Sequence, residues 1–432
     1  MLIIPSWSSS SARDLISPSP LLLREASLAD GRVADVLTGN GIIVEVAEGA
    51  ASHLASANVL NLRGYLLLPS FTEPHARLGQ VFPGQGADRR PGPSLEASPG
   101  WPTVAGGRPA DAVDRTWAAV MNYLVNGTTA IRAHVDVAEP AGMEALQVLL
   151  DLRTSLAQVM DVQIVAVTPA PVAGRAGARH RGSLRYALAV GADLAGGAPT
   201  LDGDPDRAVE SLAVTAADAG AGLDLDVGET PDRAARTLSR LLAVSEAGFG
   251  HPVTASHVTS LAIPAERRPA FLRSLTGAGI GAVTLPKAGR VPPGASAGAS
   301  PAWRLTGMRQ LLAAGVTVAA SGGGTRDPDA APGRADPLAT ASLFATAGRL
   351  PLAAALAAVT SAGRQIMRLP EVAIAPGFPA DLVAVRAVSL RDAMATRAPD
   401  RIVLRGGLVV ARTRAGAESA LPEFHAIYPV WN

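Results

Sequence analysis

The sequence predicts an α/β chain: a (β/α)8 TIM-type barrel with a small β-sandwich built from both chain ends. Three observations carry this. Short apolar strands alternate with helical patterns seven or eight times through the middle. Both ends instead read as short strands separated by Asp-Gly and Gly-Asn-Gly turns. The chain has 432 residues, 48% of them hydrophobic, which suits one large barrel plus a smaller module. An open doubly wound sheet is the structural alternative.

In chain order, residues 1–19 ("MLIIPSWSSSSARDLISPS") are Ser/Pro-rich with no basic region ahead of the apolar run, and they read as a flexible leader. Residues 20–68 give the runs "LLLREASL", "GIIVEVAEGA" and "SANVLNLRG", the first half of the sandwich. The barrel is expected over 69–376. Its strand–helix pairs begin with "TTAIRAHVDV" before "AGMEALQVLLDLRTSLAQV" and run to "VTVAASGGG" before "PLATASLFATA". Residues 377–432, with "GFPADLVAVRA" and "DRIVLRGGLVVAR", return to sandwich texture. The Gly/Pro-rich loops 83–109 and 287–301 are too long for bare strand–helix connections. Lids and disordered segments both remain open as readings of them.

Composition excludes several classes. Net charge is +1 with both signs scattered, so neither nucleic acid nor an anionic membrane is implied. No run of about eighteen apolar residues predicts a membrane span. Cysteine is absent, which removes disulfides, thiolate metal sites and a cysteine nucleophile, and fits a reducing cytoplasm.

In a barrel, chemistry gathers where strands end. The polar residues there are Glu73, His75 and Arg77 in "LLLPSFTEPHARLG", read as an apolar run closing on Pro69 with the charged residues past its end. His134 and Asp136 follow in "AIRAHVDV", Asp226 and Glu229 in "LDLDVGE", and His257 in "VTASHVT". "SGGGTRD" follows the last strand, with glycines where a carboxylate is wanted and then Asp327; it lacks the spacing of a phosphate-cradling loop.

This ordered series resembles the amidohydrolase superfamily, and within it the cytosine deaminase branch, from about residue 20 to 412. The resemblance implies one divalent ion on four ligands, which fall here on His75, Arg77, Asp226 and Gly323. Guanidinium has no lone pair to coordinate, and glycine has no side chain. The expectation is therefore no metal: a pseudoenzyme or partner subunit, binding a small polar or anionic ligand through His75, Arg77, His134 and Asp136. A homo-oligomer or an active paralogue is the expected partner.

The alternative is an active hydrolase of non-peptide C–N bonds. It would use Glu229, Asp226 and His257 as acid and base, or one zinc or iron ion on His75, Asp226 and His257. The third strand lacks the glutamine that reads the pyrimidine edge in that branch, so cytosine itself is not implied.

Overall fold

A computed structural model describes residues 20–48, 58–78, 109–138, 140–228, 231–258, 261–286, 306–323 and 335–414. The leader, Glu229, Asp327, loop 287–301 and all of loop 83–109 except Pro109 lie outside the described residues. The chain divides into two compact units, with borders at Ser70/Phe71 and Leu369/Pro370, and Val125–Gly127 joins the first unit. The sequence reading put those borders at 68/69 and 376/377.

The first unit is built from both chain ends. Its strands are β1 (Leu21–Ser27), β2 (Val33–Gly39), β3 (Ile42–Ala47), β4 (Asn58–Asn61) and β5 (Tyr65–Pro69). From the far end come β14 (Leu382–Arg386), β15 (Arg401–Arg405) and β16 (Leu408–Arg412). They form one continuous sheet in the order β16-β15-β14-β5-β1-β2-β3, with β4 also paired to β1. Leu23, Val36, Ile43, Leu67, Leu382 and Leu404 share its core.

The second unit is the barrel. Parallel strands β6 (Phe71–Ala76), β7 (Thr128–Asp136), β8 (Asp161–Thr168), β9 (Leu194–Gly197), β10 (Gly222–Asp226), β11 (Val253–Ser256), β12 (Gly281–Thr284) and β13 (Val318–Ala320) run in sequence order around it. Between them lie α1 (Pro109–Val125), α2 (Pro140–Leu156), α3 (Ala178–Val190), α4 (Pro205–Asp218), α5 (Pro231–Glu246), α6 (Arg268–Gly277) and α7 (Thr306–Ala313). Helices α8 (Pro337–Gly348), α9 (Leu352–Ala358) and α10 (Ser361–Ile366) follow the last strand, and α11 (Leu390–Thr396) belongs to the first unit. Asp204 caps α4 by accepting the Arg207 N–H, and Asp336 caps α8 by accepting that of Leu338.

The run from Leu66 to Ala76 departs from expectation. The apolar stretch ending at Pro69 is not the first barrel strand; it is β5, paired antiparallel with β14 in the other unit. The first barrel strand is "FTEPHA" itself, buried at every position, so Glu73 and His75 stand within a strand. Polar composition hid it, because a strand lined with site residues lacks the apolar run that marks a buried strand. Pro74 has no N–H to give the ladder, and the register slips there: Glu73 pairs with Ile131 but Ala76 with Ala133, one extra residue on β6.

Gly363 on α10 allows the closest approach beneath the barrel. A Cβ there would stand 1.9 Å from Thr72 Oγ1, so no other residue fits.

Candidate metal centre

Strand alternation decides which side chains meet. Arg132 and His134 share one parity on β7, as do Asp224 and Asp226 on β10. Their neighbours Ala133, Leu223 and Leu225 are buried apolar residues on the other face. The inward set converges near the strand ends, where barrel chemistry is found.

His75, His134 and Asp224 form the centre. Their candidate ligand atoms all lie within 4.8 Å of one another, and all three side chains are buried. The His75 and His134 rings stack at 3.8 Å between centroids, and His257 meets His75 edge-on at 4.9 Å. No ring nitrogen of His75 or His134 has a hydrogen-bond partner. His134 Nε2 stands 3.5 Å from Asp224 Oδ1. Buried polar atoms are normally paired, so two buried imidazoles without a hydrogen-bond partner beside one carboxylate point to a ligand position.

Electrostatics prepare these groups as donors. Burial pushes the His75 imidazole well below its ordinary range, helped by His134, His257, Arg77 and Arg132. Burial also lowers His134, with partial offset by Asp224. Both rings are therefore neutral near pH 7 and keep a lone pair. Burial opposes ionisation of Asp224, but facing His134, the Arg132 guanidinium and the Ser256 hydroxyl outweigh it and hold its carboxyl down at about 2. Two neutral imidazoles and one carboxylate are a donor set suited to a divalent ion with an open position.

The expectation of no metal is thus corrected. It rested on Arg77 and Gly323 at implied ligand positions, while the donors present are assembled partly from other residues. Arg77 is half-buried just past the end of β6. Asp226 turns its Oδ1 to the Gly228 N–H at 2.9 Å, and its Oδ2 lies 3.8 Å from His257 Nε2. His257 is buried and sits in the left-handed region at φ 61°, a strained backbone for a non-glycine residue. Asp136 is half-buried and accepts the Ala138 N–H through Oδ1 at 2.9 Å, a turn contact at the end of β7.

The β13 end, where an acidic ligand was implied, is closed differently. Ser321 donates its hydroxyl to the Glu73 carboxylate and lies 2.9 Å from the His75 carbonyl. Gly322 N–H reaches Glu73 Oε2 at 3.0 Å, and Tyr123 donates to the Gly323 carbonyl at 2.7 Å. Burial, and then Glu73, push the Tyr123 phenol well above its ordinary range, so it stays a donor. Gly323 itself has φ 71°.

Comparison with known proteins follows the same lines. The chain is 31% identical over 396 residues to a pterin deaminase from Rhizobium rhizogenes (strain K84 / ATCC BAA-868), covering 88% of each. The chain belongs to the amidohydrolase superfamily, in its deaminase branch. Among solved structures it is similar to N-isopropylammelide isopropylaminohydrolase from Burkholderia multivorans ATCC 17616, with 28% identity and a TM-score of 0.74 over 91% of this chain and 98% of that one. It shares its fold with 5-methylcytosine deaminase from Klebsiella pneumoniae, at 23% identity and a TM-score of 0.77 over 93% and 99%. No protein-family model matches the chain. No helix among the described residues is long and apolar enough to cross a membrane.

Asp224 is the donor that sequence reasoning missed. The motif pointed to Asp226, yet both aspartates share the inward parity of "LDLD", and that alternation was the available signal.

Proposed function

We propose that this chain is a metal-dependent hydrolase that removes an amino group from a nitrogen heterocycle, with pterin-type rings as its first candidate substrates. One observation carries the reading: a buried His75–His134–Asp224 cluster with four unpartnered imidazole nitrogens, in a chain whose relative is a pterin deaminase. The reaction replaces the ring C–NH2 by C=O, consuming one water and releasing ammonia.

His75, His134 and Asp224 would hold the ion. A divalent ion so bound supplies a water of lowered pKa and a Lewis acid. The rest belongs to the protein. The adjoining His257 and Asp226, 3.8 Å apart, are the pair to take and return a proton at His257 Nε2. The half-buried Arg77 would supply a guanidinium for an oxo or anionic edge of the substrate ring. The buried β-strand walls exclude water from the rings of His75 and His134.

Ammonia release from a panel of pterins and aminopyrimidines tests this, in protein stripped by chelator and then reloaded with zinc, iron or manganese. Turnover should return only with metal and vanish in Asp224→Asn. Zinc-loaded protein that binds the rings but turns over none would overturn the reading.

A further inference from the structure

The same carboxylate that would hold an ion already has a cation. Arg132 is among the largest fully buried side chains of the described residues, 1% exposed, and its Nη1 donates to Asp224 Oδ2 at 2.8 Å. Nothing about its position is loose. Nη1 also reaches Thr254 Oγ1 at 2.9 Å, Nη2 the Ile366 carbonyl at 3.0 Å, and Nε Gln163 Oε1 at 3.1 Å. Gln163 is itself tied to the Met367 carbonyl at 2.6 Å. The guanidinium is therefore fixed in the barrel by β8, β11 and the end of α10, and Asp224 is fixed through it.

The two carboxylate oxygens of Asp224 are thereby divided. Oδ2 belongs to Arg132, while Oδ1 accepts from Ser256 Oγ at 2.5 Å and faces His134. Ser256 holds the carboxylate by its other oxygen, so what Arg132 adds beyond a hydrogen bond is its charge.

We infer that Arg132 is the internal counter-ion of this centre: it balances Asp224 in the metal-free chain and, by like-charge repulsion, sets a weaker affinity than the three donors would have without it. The inference rests on the metal reading of the cluster. Two consequences follow from the charges alone. The empty site does not leave a bare buried carboxylate, so the chain folds without an ion. An ion bound at Oδ1 sits across one carboxylate from a fixed positive charge, which lowers its affinity in a dry site.

The experiment is zinc titration against a chromophoric chelator, with thermal unfolding in the absence and presence of zinc, on the full chain and on Arg132→Met and Arg132→Lys. In Arg132→Met, Asp224 loses its counter-ion but keeps Ser256. Its metal-free Tm should fall, zinc should restore most of the loss, and the zinc Kd should tighten by about tenfold or more. Arg132→Lys keeps the charge and should hold the wild-type Kd within about threefold.

An unchanged or weaker Kd in Arg132→Met, against a wild type that binds zinc, overturns the inference and leaves the proposed function standing. A wild type that binds no divalent ion overturns both. Should Arg132→Met fold in neither condition, the double variant Arg132→Met/Asp224→Asn decides. Folding without zinc and indifference to zinc support the pairing. Renewed failure to fold shows that the anchoring bonds to Gln163 and Ile366 matter rather than charge, and overturns it.

Discussion

Two parts of the barrel rim make opposite use of polar residues. At the β13 end, Glu73, Ser321, Gly322 and Tyr123 are joined by hydrogen bonds, each donor meeting an acceptor. On β6 and β7, His75 and His134 are buried too, yet their ring nitrogens make no hydrogen bond, and His134 Nε2 stands 3.5 Å from Asp224 Oδ1. Burial alone does not distinguish the two. Satisfaction does: the first arrangement is complete as it stands, and the second is complete only with a ligand. The part of the rim where the family resemblance implied an acidic ligand is a structural closure between β13 and β6, and the donor set begins beside it at His75 and continues to His134 and Asp224.

Substitutions should separate these parts. The largest effect belongs to Asp224→Asn. It should abolish zinc binding and, by stranding the buried Arg132 charge, cost about 3–5 kcal/mol in denaturant unfolding of the metal-free chain. Glu73→Gln acts on the closed side. It should cost about 1–3 kcal/mol of stability by setting an amide NH2 against one of the two donors Ser321 and Gly322, with zinc stoichiometry measured by elemental analysis unchanged. An altered stoichiometry would join the two regions into one site.

Gly323→Asp tests whether the implied ligand can simply be restored. Its φ of 71° disfavours any side chain, so the variant should lose about 1 kcal/mol and gain no affinity for zinc. The smallest effect is expected from Tyr123→Phe, which removes one hydrogen bond to the Gly323 carbonyl and should cost about 1 kcal/mol in the same unfolding assay.

Protonation gives a graded version of the contrast. His75 and His134 titrate below their ordinary value of 6.5 in the folded chain, so the unfolded chain binds more protons as pH falls past that value. Stability of the metal-free protein should therefore be full above about pH 6.5 and decline below it, down to the depressed folded values. His75→Phe should flatten that decline. An unchanged profile would mean that the ring is not held neutral by burial.

Much of this was legible in the sequence. Alternating strand and helix patterns gave the barrel, and the turn-rich ends gave the second sheet, because both depend on local periodicity. His134 stood out as a histidine in a strand, and His75 as one just past an apolar run. The division at Ser70/Phe71 did not, since β5 pairs with β14, more than 300 residues away, and β6 carries polar residues where a buried strand is usually apolar. Arg132 did not stand out; its partners come from β10, β11 and the end of α10, and no local pattern reports them. Ser321 and Glu73 are 248 positions apart, which hid the closure of the rim.

The most direct test is anomalous diffraction at the zinc edge from crystals of the zinc-loaded chain. A single strong peak bonded at about 2.0–2.2 Å to His75, His134 and Asp224 is the expected result. A peak held instead by His75, Asp226 and His257, or no peak at full zinc occupancy in solution, would contradict the assignment of the centre.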